Sequence, residues 1–153
     1  MTEQQQEKLN DFFVGVFNQI LAWEGQTIRN IGVQDLSIRE LHVIEAVSDL
    51  YKVEKNTMAN IAKHISVSRG ALSVSVNGLV NKGYLERSYT EKDRRVIYIN
   101  VTEKGRKVNE IHEAFHYEMV KSIGEQLDDE QLKTLLLALD KLKEFFKGKI
   151  TQN

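Results

Sequence analysis

The chain has 153 residues, of which 41% are hydrophobic and 28% are charged, a balance typical of a globular protein rather than a disordered one. It has no cysteine, which excludes disulfides and thiolate metal ligands and favours a reducing compartment. The first residues, MTEQQQEKLND, are polar, and no apolar run approaches the roughly 18 residues of a membrane span. We therefore expect a soluble, cytoplasmic protein without a membrane role.

The net charge of −1 hides an uneven distribution along the chain. Residues 52–107 contain 12 Lys and Arg against 5 Asp and Glu, whereas the rest of the chain contains 9 against 17. A basic middle third between acidic flanks indicates that a polyanion binds the middle third. The alternative is a chance fluctuation on a solvated surface.

Long amphipathic helices are predicted at both ends of the chain. Apolar residues at three- and four-residue spacing indicate the first helix, and Gly25 and Gly32 after it predict a looser connection. Thr102 begins another long helix, and Asp128 with Gln131 predicts a capping box that opens the last one. These apolar stripes are longer than a small core needs, so we expect them to pack against a second copy of the chain. Alternatively, they fold back over the middle.

The beginning of the middle third is predicted to contain a helix followed by a loop. Ser37 and Glu40 form a predicted capping box for a helix that runs to about Asp49 and turns Tyr51 inward. The charged stretch 52–56 is predicted as a loop.

A second pair of helices follows this loop. Thr57 is the predicted N-cap of a short helix over Met58–Ile65. The tight turn 66–68 separates it from a helix that runs from Arg69 to about Lys82, and Gly83 is the expected C-terminal cap.

Two alternating segments, Tyr84–Ser88 and Val96–Val101, predict a hairpin around a charged loop. Helix, turn, helix and basic hairpin together predict a mainly α protein with a small β-hairpin wing. This is a winged helix-turn-helix flanked by long N- and C-terminal dimerisation helices. We expect one domain over 1–153, with the DNA-binding part at about 37–101 and dimerisation helices at 5–30 and 102–148.

The second helix of such a motif enters the major groove of DNA by its N-terminal half. On its outward face, Arg69 can pair with guanine, Asn77 with adenine or a phosphate, and Val74 with a thymine methyl group. Gly70 is costly in a helix, which is explained if the backbone approaches DNA closely. The basic hairpin tip would contact the minor groove or phosphates. The predicted DNA-binding residues are Thr57, Ser68, Arg69, Gly70, Ser73, Val74, Asn77, Lys92, Arg94 and Arg95.

The stretch from Thr57 to Gly105 resembles the MarR family of transcriptional regulators. The resemblance lies in the turn Val67-Ser68, in the segment 79–87 (LVNKGYLER), in the wing residues Asp93-Arg94-Arg95 and in the exit 101–105 (VTEKG). It implies a homodimer that binds a roughly palindromic double-stranded operator, with the terminal helices at the dimer interface.

Two stretches, 37–42 (SIRELH) and 106–116 (RKVNEIHEAFH), look like the members of this family that repress fatty-acid biosynthesis in Gram-positive bacteria. That resemblance implies a corepressor acyl chain carried on acyl carrier protein, bound between the first, second and fifth helices. The candidate pocket residues, any of which can equally be core, are Phe12, Phe13, Phe17, Leu21, Trp23 and Phe115.

Glu24, His112 and His116 continue apolar stripes, and the two histidines lie one helical turn apart. With His42 they offer a ligand set suited to zinc. The same four positions resemble the zinc-sensing branch of the MarR family, although Asn30 stands near the place where that branch has a cysteine. The alternatives are a Glu–His hydrogen-bond network and direct contact with the acyl-carrier ligand.

The sequence favours no enzyme, and no cofactor is required. It contains no cysteine nucleophile, phosphate-binding glycine loop or nucleophile elbow. A zinc site with four protein ligands would leave no open position for a water.

Overall fold

The computed structural model describes residues 1–30, 32–89 and 96–150, without the side chain of residue 150. In that part of the chain it contains six helices and one antiparallel hairpin. The elements are α1 (Glu3–Asn30), α2 (Ile38–Lys52), α3 (Met58–His64), α4 (Arg69–Asn81), β1 (Leu85–Tyr89), β2 (Ile97–Val101), α5 (Glu103–Gly124) and α6 (Asp129–Ile150). The predicted mainly α, winged helix-turn-helix fold is therefore confirmed. No helix among the described residues is both long and apolar enough to cross a membrane.

The chain forms two compact units, Met1–Phe115 and His116–Asn153. The buried apolar cluster of the first unit is built from α1, α2, α3, α4, the hairpin and the start of α5. Its fully buried members include Leu41, Ile44, Ile61, Leu72 and Ile99. The second unit contains the end of α5 and all of α6, whose apolar residues are largely exposed within the single chain.

Both predicted capping boxes are present. The Ser37 hydroxyl accepts from the Glu40 amide at 3.3 Å, and the Glu40 carboxylate accepts from the Ser37 amide at 3.0 Å. Before α6, Asp128 and Gln131 exchange the equivalent bonds at 2.8 and 3.0 Å. Each box satisfies amide groups that the first turn of a helix leaves without partners.

Gly83 ends α4 as predicted, with a φ of +77° that favours glycine. Its amide donates to the Val80 carbonyl at 3.0 Å, and the Tyr84 amide donates to the Leu79 carbonyl at 2.9 Å. This pair of bonds is a Schellman motif, which turns the chain directly from α4 into the hairpin.

Gly25 does not begin a looser connection, as the sequence suggested, because α1 continues through it to Asn30. Gly25 is buried, and a β-carbon there would lie 3.3 Å from the Arg29 guanidinium and at an ordinary van der Waals distance of 3.5 Å from Ile38, so this glycine lies where α1 meets the start of α2. A glycine that breaks a helix and one inside a buried helix look alike in a single sequence.

The end of α2 also differs from the prediction. The helix continues to Lys52, and Tyr51 is 61% exposed rather than turned inward. The loop after it brings Asn56 into a buried position, where its amide nitrogen donates to the Ile99 carbonyl at 2.8 Å. Both strands begin one residue later than predicted, β1 at Leu85 and β2 at Ile97, while β2 ends at Val101 as predicted.

Candidate functional site

Helix α4 presents one buried and one exposed face. Leu72, Val76 and Leu79 are buried against the core. The Ser68 hydroxyl caps the helix by accepting from the Ala71 amide at 3.1 Å. The opposite face consists of Arg69, Gly70, Val74 and Asn77, all exposed, with Ser73 half-buried beside them. The chain therefore leaves uncovered the side chains that were predicted to contact DNA.

Gly70 lies in open space within this chain. Among the described residues, and apart from the neighbouring helix backbone, the only atom near a β-carbon built at this position is the Ser68 hydroxyl oxygen, at an ordinary van der Waals distance of 4.0 Å. Its φ does not lie in the left-handed range. Neither packing within the described residues nor backbone conformation requires a glycine here, although an alanine would favour the helix.

The predicted N-cap Thr57 also links the short helix α3 to the hairpin. Its hydroxyl accepts from the Asn60 amide at 3.4 Å, and its backbone forms a β-bridge with Tyr98. Beside it, the Asn56 carbonyl accepts from the Ile99 amide at 2.9 Å. The hairpin is thus fixed to the start of the helix-turn-helix. This role of Asn56 could not be predicted from the sequence, because its partners lie more than 40 positions away.

The hairpin pairs Leu85 with Val101 and Tyr89 with Ile97. In the middle of β1, the Arg87 guanidinium donates a hydrogen bond to the side-chain oxygen of Asn77 on α4. This contact, which the sequence analysis missed, joins the wing to the predicted base-reading face. The predicted wing residues Lys92, Arg94 and Arg95, and the neighbouring Asp93, lie outside the described residues.

The C-terminal end of α4 is tied to α2 by an ion pair. Lys82 donates to the Glu40 carboxylate at 2.7 Å, and both side chains are largely withdrawn from solvent. Burial acts to raise the pKa of Glu40, but the hydrogen bonds from Lys82 and Ser37 outweigh it and hold this pKa below its ordinary value. The Glu40 carboxylate therefore stays charged and connects the start of α2 to the end of α4.

A second polar cluster lies beside this ion pair. The Tyr84 hydroxyl donates to Asp35 at 2.7 Å, and the Lys104 ammonium lies 3.5 Å from the same carboxylate and 3.9 Å from the centre of the Tyr84 ring. Burial, together with the hydrogen bond to Asp35, raises the pKa of Tyr84 far above its ordinary value. The Tyr84 hydrogen bond is also the largest cause of a lowered pKa at Asp35.

Three of the four predicted metal ligands come together in the first unit. The His42 Nε2 donates to Glu24 at 3.0 Å, and the His112 Nε2 contacts the same carboxylate oxygen. Glu24 and His112 are buried, whereas the side chain of His42 is 41% exposed. The ligand atoms of these residues lie within 4.8 Å of one another. His116 follows one turn later on α5, as the first residue of the second unit.

The predicted effector-pocket residues are divided between exposed and buried positions. Phe12, Phe17 and Trp23 are 51%, 63% and 48% exposed, whereas Phe115 is buried. Trp23 meets Phe115 edge to face, with ring centroids 5.0 Å apart. Phe13 and Leu21 are half-buried. Within one chain the α1 side chains are therefore partly open, and Trp23 among them contacts Phe115 of α5.

Comparisons with known proteins agree with this fold. The family described as transcriptional regulator SarA/Rot matches residues 31–111, which is more than half of the chain. The HTH-type transcriptional regulator YwhA of Bacillus subtilis is 30% identical over 61% of this chain and 67% of its own length. The transcriptional regulator AdcR of Streptococcus pneumoniae is 31% identical over 61% of this chain and 64% of its own length.

A solved structure extends the likeness to almost the whole chain. Streptococcus pneumoniae FabT, crystallised in complex with DNA, is 31% identical, covers 94% of this chain and 98% of its own, and superimposes with a TM-score of 0.86. These relatives are regulators of transcription rather than enzymes. The chain therefore belongs to the MarR family of winged helix-turn-helix transcriptional regulators.

Proposed function

We propose that this protein is a homodimeric, sequence-specific repressor that places its two α4 helices in successive major grooves of a palindromic operator. The single observation that carries the proposal is the uncovered face of α4, where Arg69, Val74 and Asn77 surround a glycine that nothing in the described part of the chain requires. A helix presented in this way, with a hairpin beside it, suits base contacts in the major groove.

The predicted contacts divide into base readout and phosphate contacts. Arg69 pairs with guanine, Val74 contacts a thymine methyl group, and Ser73 lies between them. Thr57 and Ser68, at the starts of α3 and α4, approach phosphates. The wing residues Lys92, Arg94 and Arg95 follow the adjacent minor groove or phosphates.

Exposed apolar surface supports the homodimer. On α1, Phe12 and Phe17 are each more than half exposed, and in the second unit Leu136 and Phe145 are as well. Large apolar faces of this kind are usually buried against a partner. A second copy of the chain is the partner that a palindromic operator requires, because protein and DNA then share a two-fold axis.

The experiment is fluorescence anisotropy with a labelled palindrome from a fatty-acid-synthesis promoter, titrated at several salt concentrations. We expect affinity to fall steeply with salt, since each phosphate contact contributes a slope of about 0.9. Arg94→Ala is expected to weaken binding to every sequence and to lower the slope by about one. Lys121→Ala, a change on the exposed surface of α5, is the control. Salt-independent binding, or an unchanged slope for Arg94→Ala, would contradict the phosphate contacts.

We further propose that the regulated genes are those of fatty-acid biosynthesis and that long-chain acyl-acyl carrier protein is the corepressor. The similarity of 37–42 and 106–116 to repressors of that pathway supports this, as does the likeness to FabT. The acyl chain would lie against the exposed Phe17 and the edge-to-face pair of Trp23 and Phe115. In the same assay, long-chain acyl carrier protein should tighten DNA binding several-fold, and carrier protein without an acyl chain should not. Equal effects of the two would contradict an acyl-chain corepressor.

Zinc regulation is the second candidate, favoured by the geometry around Glu24. One carboxylate and two imidazole groups with their ligand atoms within 4.8 Å form a donor set that fits zinc. Glu24, His42 and His112 would hold the ion, with His116 as the predicted fourth ligand. If this is correct, zinc raises the melting temperature and the DNA affinity of the wild type but not of His42→Ala. His64→Ala, in the exposed end of α3, is the control for zinc-induced stabilisation. An equal response of the His42 variant would leave the Glu–His hydrogen-bond network as the role of these residues.

A further inference from the structure

On the exposed face of α4, the side chain of Asn77 is hydrogen-bonded to a residue of the hairpin. Its side-chain oxygen accepts the hydrogen bond from Arg87, which lies in the middle of β1. Because Asn77 is exposed and Arg87 is half-buried, the Arg87 guanidinium contacts the Asn77 side-chain amide from the protein side. The strand pair Arg87–Ile99 and the buried Ile99 side chain fix the arginine's backbone in the hairpin.

This contact affects which base the Asn77 amide can pair with. An asparagine pairs with adenine by two bonds, in which its oxygen accepts from the adenine amino group and its nitrogen donates to N7. Arg87 occupies one lone pair of that oxygen and turns the oxygen toward the hairpin, so the NH₂ group is the end of the Asn77 amide that points away from Arg87. A side chain that presents its donors suits guanine, whose N7 and O6 are both acceptors.

We propose that Arg87 is a positioning residue that sets the base preference of Asn77, turning an adenine-reading side chain into a donor that favours guanine. This inference rests on the proposed role of α4 in base readout. It also changes the expectation for Asn77, since adenine becomes the preferred base only when Arg87 is absent.

The same geometry assigns different roles to the two residues. Asn77 touches the base, and Arg87 acts on specificity through Asn77. A purely structural arginine would affect stability and overall affinity but not the identity of one base. Base preference is therefore the measurement that separates the two roles.

The test is selection from a randomised double-stranded DNA library, followed by anisotropy on single-base variants of the selected site. The base pair read by Asn77 is the one whose preference disappears in Asn77→Ala. Arg87→Met keeps the length of the side chain but removes its donors, and Arg87→Lys keeps one donor as the matched control. Asn77→Asp keeps the bond from Arg87 but removes the NH₂ group.

At that base pair we expect the wild type and Arg87→Lys to select guanine and Arg87→Met to select adenine, with relative affinities changed by about 5- to 100-fold. Arg87→Met should have no effect on this base in an Asn77→Ala background. Asn77→Asp should lose affinity for guanine while its melting temperature stays at or above that of the wild type.

If Arg87→Met lowers affinity but selects the same motif as the wild type, the positioning role is wrong while the proposed function stands. If the wild type itself selects no motif, sequence-specific DNA binding fails and the inference fails with it. Circular dichroism and melting temperature show whether each variant is folded. Should Arg87→Met not fold, retention of guanine preference and affinity by Asn77→Asp would by itself overturn the proposal.

Discussion

Gly70 occupies the second position of α4, where an alanine would be the better helix former. Nothing within the described chain prevents a β-carbon there. Under the proposed function, a close approach of the α4 backbone to DNA explains the glycine, which would lower the stability of the helix but favour DNA binding.

We therefore expect Gly70→Ala to raise the free energy of unfolding by about 0.5 kcal/mol and to weaken operator binding. Thermal unfolding and anisotropy measure the two effects. Gly148→Ala, the same change in open space on α6, is the control that should leave DNA binding unchanged. A Gly70→Ala variant that binds DNA as tightly as the wild type would contradict the close approach.

Helices α2 and α4 are joined by the Glu40–Lys82 ion pair, and this link has a defined pH dependence. Because the pKa of Glu40 is lowered in the folded state, its contribution to stability is present above the unfolded pKa and is lost as pH falls through the folded pKa. The pKa of Asp35 is also lowered in the folded state, so its contribution to stability is lost with acidification as well. Acidification below about pH 4.3 should therefore loosen the first unit.

For this reason we expect Glu40→Gln to lower the free energy of unfolding at neutral pH by about 1–2 kcal/mol and to flatten its decrease in acid. Chemical denaturation at a series of pH values measures both effects. Glu130→Gln, at an exposed position of α6, is the control. A parallel pH curve for Glu40→Gln would mean that this ion pair does not contribute to the acid sensitivity.

Elements whose signals are local could be predicted from the sequence. The capping boxes and the cap at Gly83 lie within a few residues of the groups they satisfy, and the spacing of Leu72, Val76 and Leu79 correctly indicates the buried face of α4. Partnerships between distant residues could not be predicted. Nothing in the sequence indicates that Arg87 holds Asn77 or that Asn56 holds Ile99, because these pairs depend on how the hairpin packs.

The candidate zinc cluster could be predicted from helical periodicity only in part. Helical periodicity correctly marked Glu24 and His112 as polar residues on buried faces. Spacing did not indicate His42, which was included because a third imidazole completes a zinc ligand set, and the structure brings it to 3.0 Å from Glu24. The exposed aromatic face of α1 shows the limit of periodicity, since a stripe that packs against a partner has the same pattern as one that packs inside the chain.

At the scale of the whole molecule, the exposed faces of the terminal helices and the two-fold symmetry of an operator lead to one prediction. Phe17 is 63% exposed within the chain, so a lysine in its place removes little packing from the single chain. In a dimer that buries this face, the same change places two charges in an apolar interface. Burial of a phenylalanine is worth about 1.5–3 kcal/mol and occurs twice by symmetry.

Phe17→Lys is therefore expected to raise the dimer dissociation constant by at least about 100-fold, measured by sedimentation, while helical content is retained. Val53→Lys, which introduces the same charge at a similarly exposed residue after α2, should remain dimeric. Operator affinity should fall with the dimer, because each protomer reads only one half-site. A Phe17→Lys protein that stays dimeric and binds the palindrome normally would exclude this face of α1 from the interface. A monomeric wild type that still binds the palindrome tightly would contradict the two-fold arrangement itself.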